Sequence, residues 1–243
     1  MIYTRPFTTR RFIAYAGDSW RKELSLVVQV TDEFTDQQPQ VPLSVSLKEL
    51  PQQLPFRNDH GFFCFEGRET VTIDGVARTR DVIPNGNYTL VVEPDPTSGN
   101  FFYLQPRPGD PWSKTFELSL TLPLPNPLQP LEAVTLSPTP SYPFPANATL
   151  VRGRVREGGV AAPDAVVSST YTAVDPTDAT QTVFRNVATL TDREGEFALF
   201  FKRLPLKTQT ITITAVKNGP PVPVPNILIT EGKTLKNQVI SLP

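Results

Sequence analysis

The side chains able to do chemistry are few and scattered. The only histidine, His60, precedes the only cysteine, Cys64, by four residues in Arg57-Asn-Asp-His-Gly-Phe-Phe-Cys-Phe65. Residues four apart on a strand share a face, so the pair is a candidate base and nucleophile. A nucleophilic thiol needs an accessible, electropositive setting that favours the thiolate. Phe62, Phe63 and Phe65 surround this one with apolar rings instead. The expectation is a turn histidine followed by a buried core thiol. Asp192, Glu194 and Glu196 alternate across five residues, but that spacing lacks the ligand count of a calcium loop. A solvated turn is expected, with Asp192 accepting bonds from nearby backbone N–H groups. Gly153 and Gly158 leave a strand and no Lys-Ser or Lys-Thr follows, so they do not form a phosphate cradle. One histidine and one cysteine exclude a His-cluster metal site and an internal disulfide framework. The residues thus give no catalytic set, no metal site and no cofactor, and an enzyme is not expected.

Charge excludes further classes. The 243 residues carry 23 basic and 24 acidic side chains, net −1, so a globally basic nucleic-acid binder is excluded. No apolar run approaches the ~18 residues of a membrane span, and membrane insertion is not expected. Arg5, Arg10 and Arg11 precede a short apolar stretch from Phe12 to Ala16. It is shorter than the roughly 7–15 apolar residues of a secretory signal. That segment reads as an edge strand or docking arm, and cytoplasmic synthesis without a signal peptide is expected. Arg152, Arg154 and Arg156 share a strand face by parity. They could face an acidic partner, and a charged strand edge that discourages sheet-to-sheet pairing is the expectation.

The elements that must position these side chains are strands. Leu24-Ser-Leu-Val-Val-Gln-Val-Thr is rich in β-branched residues, and Val41 to Leu47 alternates strictly, the pattern of a half-buried strand. Val71 to Val76 reads as a hairpin about Asp74-Gly75. Tyr88 to Glu93 follows, and Phe101–Leu104 with Phe116–Leu122 are expected as a last ribbon. Further strands are read at Thr149–Arg156, Ala165–Thr172, Glu196–Phe201, Gln209–Val216 and Lys236–Leu242. Between the two sets, Pro123 to Pro145 holds eight prolines in 23 residues. Proline fixes φ and lacks an N–H, so this density predicts a stiff extended strap that forms neither a helix nor a central strand.

Both halves share an order. An opening strand leads through a turn to an alternating strand, then a polar turn runs into Gly-aromatic or Gly-x-aromatic, and a Thr-rich strand follows. Val151-x-Gly-x-Val, Pro163-x-Ala-x-Val and Thr191-Asp-x-x-Gly-x-Phe197 carry this pattern in the second half. They resemble the carboxypeptidase regulatory-like family, a small transthyretin-like Greek-key sandwich. The first half departs from it, with Asn58-Asp-His-Gly in place of a Thr-Asp turn. The resemblance implies an all-β chain of two Greek-key (transthyretin/Ig-like) β-sandwich domains. These are an arm over 1–19, a sandwich over 20–122, the Pro-rich strap over 123–145 and a regulatory-like sandwich over 146–243. Such domains are structural or binding modules. The layout is also similar to accessory proteins of phage-tail-like contractile injection particles. On that likeness the chain is a non-catalytic adaptor, oligomeric in place within a secreted or intracellular particle, with other protein subunits as partners. The candidate interface residues are Arg5, Arg10, Arg11, Phe12, Phe101, Phe102, Tyr103, Trp112, Tyr142 and Phe144. The alternative is a glycan or cell-surface ligand-binding module, with Trp20, Trp112, Tyr103 or Tyr171 stacking on sugars.

Overall fold

A computed structural model describes residues 10–13, 19–73, 75–94, 102–103, 116–120 and 131–243, and every regular element among them is a β-strand. The chain divides into two compact units, residues 1–100 with 105–136, and residues 101–104 with 137–243.

The first unit carries β1 (Arg10–Ile13), β2 (Ser19–Asp32), β3 (Leu43–Leu47), β4 (Phe56–Arg57), β5 (Phe63–Ile73), β6 (Val76–Asp81), β7 (Gly86–Pro94), β8 (Phe116–Leu120) and β9 (Leu131–Leu136). One sheet is built on β2 and β5, with β1, β4, β6 and β9 attached; the other runs β3-β7-β8. Leu26, Val28, Val30 and Phe65 are buried from the first sheet, and Val45, Leu47, Leu90 and Val92 from the second. The alternation expected over Val41 to Leu47 appears from Leu43 onward, with Val45 and Leu47 inward.

The second unit carries β10 (Thr149–Glu157), β11 (Val160–Ala161), β12 (Val166–Val174), β13 (Thr182–Leu190), β14 (Glu196–Phe201), β15 (Thr208–Val216), β16 (Val222–Thr230) and β17 (Thr234–Leu242). Its sheets are β11-β10-β14 with β17 beside β10, and β13-β12-β15-β16. Their inner faces meet in one core that includes Val151, Val155, Phe197, Leu199, Ile213 and Ile229. The molecule is all-β.

The two units repeat one connectivity. β2 pairs antiparallel with β5 and parallel with β9, as β10 pairs antiparallel with β14 and parallel with β17. β3 pairs with β7 and β7 with β8, as β12 pairs with β15 and β15 with β16. The turns into β5 and β14 match atom for atom. Asn58 Oδ1 accepts from the N–H groups of His60 and Phe62 at 3.0 and 2.9 Å. Asp192 Oδ1 accepts from those of Glu194 and Glu196 at 3.0 and 2.8 Å. Each turn then closes through a glycine with positive φ, Gly61 at 78° and Gly195 at 73°. A Cβ on Gly195 would lie 2.6 Å from the Val155 carbonyl oxygen, so both the backbone angle and the space call for glycine. The departure of Asn58 from the expected Thr-Asp start is therefore chemical only, because the amide oxygen makes the same bonds as the carboxylate.

Four expectations change. Residues 131–136 of the strap form a strand, since these six lie between Pro130 and Pro138 and contain no proline. Tyr103 pairs with Pro138 in the second unit, while β8 pairs with β7. The arginine strand β10 is central, flanked by β14 and β17, so it is not a charged edge. Finally, β13 and β16 had no counterpart in the sequence reading. β16 is an edge strand bearing Pro223 and Pro225, a position where a missing N–H costs no ladder bond on the open side.

Candidate interaction surface

The residues with catalytic potential differ in burial. His60 is exposed on its turn, with its ring 6.4 Å from that of Phe62. Cys64 is buried to 1% exposure, its thiol 3.8 Å from the Phe62 carbonyl oxygen. Asp192 spends its oxygen on the two turn bonds described above. Burial pushes its carboxyl above the ordinary value of 3.8, helped by the charges of Glu194 and Glu196 and opposed by the backbone N–H bonds. Glu196 pairs with Arg154, and Glu157 lies 3.3 Å from Lys217. Among the described residues no group of three His, Cys, Asp or Glu side chains converges.

What the first unit offers instead is an open sheet face. Burial in β2 begins at Ser25, and in β5 it fades after Gly67, so Ser19–Leu24 and Arg68–Ile73 lie outside the core. Every residue of β6 is exposed. Register settles which side chains share a face, because directly paired antiparallel residues point the same way. Trp20 pairs with Val71 and Val71 with Arg78; Ile73 pairs with Val76; Lys22 pairs with Glu69 and Glu69 with Arg80. One face therefore shows Trp20, Val71, Ile73 and Val76 among Lys22, Glu69, Arg78 and Arg80. Trp20, Ile73 and Val76 are 42%, 53% and 62% exposed. Lys22 reaches over the Trp20 ring at 5.5 Å and bonds Glu66 at 2.7 Å.

The opposite face satisfies itself. Arg68 binds Asp81 at 2.6 Å, Arg21 binds Glu23 at 3.2 Å, and the Thr70 and Thr79 hydroxyls bond at 3.1 Å. The ribbon is thus polar and internally paired on one side, and on the other an apolar cluster lies open among charged side chains. Arg10, Arg11 and Phe12 pair through backbone with Lys22, Arg21 and Trp20, so β1 forms an edge of this same ribbon. The hairpin at Asp74-Gly75 was legible from sequence, but the face it builds with Trp20 was not. That required knowing that β2 extends back to Ser19.

The other interface candidates gather in the second unit. Tyr142 has Phe102, Tyr103 and Phe144 around it at ring distances of 6.3, 5.8 and 4.7 Å, and Phe144 lies 6.1 Å from Phe200 on β14. Arg152 stacks over Phe144 at 5.4 Å and donates to the Pro140 carbonyl at 2.8 Å. Tyr103 is 3% exposed, so these rings fasten residues 102–103 and 137–148 onto their own sheet. Arg5, Phe101 and Trp112 lie outside the described residues. Of the aromatics considered for sugar stacking, Tyr103 and Tyr171 are buried and Trp20 is open.

A shallow concavity of about 650 Å³ covers the outer face of β12, β13, β15 and β16. It is lined by uncharged polar groups, among them Ser168, Thr170, Asn186, Thr210, Thr212 and Asn226. Phe184, two residues before Asn186, is 84% exposed.

No protein-family model matches the chain and no curated protein is similar to it. Among solved structures, the shaft pilin SpaA from Lactobacillus rhamnosus GG is 10% identical with a TM-score of 0.24, over 91% of this chain and 100% of the pilin. A streptococcal ancillary pilin is 12% identical at a TM-score of 0.22, over 89% of this chain. A 9R-lipoxygenase from Cyanothece PCC8801 is 14% identical at 0.22, over 42% of this chain. The chain spans 60% of the ancillary pilin and 17% of the lipoxygenase. None of these likenesses assigns a family.

Proposed function

We propose that this chain is a non-catalytic structural adaptor that joins protein subunits of a larger assembly through surface contact. The observation that carries this reading is the ribbon face of Trp20, Val71, Ile73 and Val76. Three of these side chains remain 42–62% exposed while the reverse face is internally paired. A clustered apolar face rimmed by charge is the composition of a protein-binding patch. On this reading the two sandwiches are carboxypeptidase regulatory-like modules, and β1 stiffens the contact ribbon. The assembly is a phage-tail-like contractile particle in which the chain sits as a repeated cap or baseplate accessory subunit.

The test is cross-linking of the chain in its own cells, followed by purification and electron microscopy. Expected is an ordered particle holding several copies, lost in the Trp20→Ser/Ile73→Ser/Val76→Ser variant while its urea midpoint stays near the parent's. A chain that stays monomeric and unassociated in cells would overturn the proposal.

One feature favours a second reading, a module for neutral carbohydrate. The hydroxyl- and amide-lined concavity beside Phe184 offers hydrogen-bonding groups and an apolar ring without charge. Specific binding on a glycan array, abolished by Asn186→Ala with Phe184→Ala, would select this reading over the adaptor.

A further inference from the structure

The two outer faces of the second sandwich differ in a way that folding does not require. On β12 and β15 the outward positions are Ser168, Thr170, Thr172, Thr210, Thr212 and Thr214, all neutral. On β10 they are Leu150, Arg152, Arg154 and Arg156. The arginines occur in a chain whose net charge is −1, on a central strand held by β14 on one side and β17 on the other. Their backbone is fixed closely. A Cβ on the intervening Gly153 would lie 2.2 Å from the Gln238 carbonyl oxygen and 2.8 Å from the Phe197 ring.

The three guanidinium groups form a graded row. Arg152 is tied down by Phe144 and the Pro140 carbonyl. Arg154 holds Glu196 through Nε at 3.0 Å and Nη2 at 2.5 Å, both on one carboxylate oxygen, with its own side chain 54% exposed. Arg156 is exposed and in no ion pair among the described residues. Its cross-strand neighbours are the small Ala161 and Ser241, so nothing bulky stands over it from either side. Beside Arg154 on β17, Val239 is 59% exposed. One carboxylate thus serves three guanidinium groups: Glu196 holds Arg154, Arg152 is tied down, and Arg156 stays open.

We infer that this face binds an extended acidic polypeptide segment lying along β10. Outward positions on a strand recur about every 6.5–7 Å, and alternate side chains of an extended peptide share that repeat. A segment with acidic residues at every second position places carboxylates over Arg154 and Arg156 in register. Each guanidinium fork suits a planar carboxylate, a match that an ammonium group lacks. The inference stands apart from the ribbon of the first unit and does not depend on it.

The test is fluorescence anisotropy of a labelled ten-residue peptide of alternating Glu and Ser, titrated with the full chain at low salt. Expected is saturable binding that fades as salt shortens the reach of the charges. The Arg154→Gln/Arg156→Gln variant weakens binding about tenfold, the combined effect of two exposed pairs. Thr172→Glu on the opposite face leaves it unchanged. A matched urea midpoint shows that the glutamine variant is folded. Three results would overturn the inference: no saturation by the alternating peptide, equal binding of a peptide with five Glu followed by five Ser, or unaltered affinity in the glutamine variant. Binding of a sulfated oligosaccharide without the peptide would reassign the face to polysaccharide.

Discussion

At the scale of single residues, Asn58 and Asp192 are a natural comparison. They make the same pair of backbone bonds in equivalent turns, one as an amide and the other as a carboxylate. Because burial raises the Asp192 carboxyl above 3.8, the native state holds that proton more tightly than the unfolded chain does. The resulting stabilisation is complete below 3.8 and is lost as pH rises through the higher native value. Asp192→Asn keeps the oxygen acceptor and removes the ionisation, as Asn58 already does. Urea midpoints measured at pH 7 should therefore favour the variant, with the gap closing as the pH falls to 3.5. A variant equally destabilised at both values would show that the turn needs the carboxylate itself. His60 and Cys64 illustrate how far residue identity alone can be read. The flanking phenylalanines correctly marked the thiol as core, because burying those rings forces their neighbour inward as well.

Elements were legible where the pattern was periodic and hidden where proline interrupted it. Val41–Leu47 and Gln209–Val216 alternate with a period of two, and Leu43–Leu47 and Thr208–Val216 appear as β3 and β15. β16 escaped because Pro223 and Pro225 normally mark a break; at an edge they are tolerated. β13 escaped because Thr182–Leu190 places Phe184 outward and Arg185 on the alternate face, blurring the apolar alternation. β9 was lost inside the proline count although Leu131–Leu136 contains none. Its contribution can be measured. Val134 is fully buried and Cα-paired with Val30. Val134→Pro removes a ladder donor and leaves its buried acceptor unpaired, at a cost of about 1–3 kcal/mol. Chemical denaturation should show that loss, whereas Ala133→Ser, at an exposed position of the same strand, should change stability by less than about 0.5 kcal/mol.

At the scale of the whole molecule, each unit owns its core. The apolar cluster of the second unit draws every member from residues 151–242, while Cys64 is enclosed in the first. This makes the single thiol a reporter for one half of the chain. Leu199→Ala empties a fully buried site in the second core, which costs about 2–5 kcal/mol. Circular dichroism should detect that weakening, yet the alkylation rate of Cys64 in the native protein should match the parent's. Faster alkylation would show that loosening one core opens the other.

The parallel pairing of each unit's first long strand with its last carries a consequence for synthesis. Val27–Asp32 of β2 wait for Leu131–Leu136, and Leu150–Glu157 of β10 for Thr234–Leu242, before one side of each strand is paired. Partners so distant in sequence close slowly. A ribosome making this protein therefore holds each half unfinished until that half's final strand has emerged, and a stall just short of Leu131 or Thr234 would leave a hydrogen-bonding edge bare to whatever else is nearby.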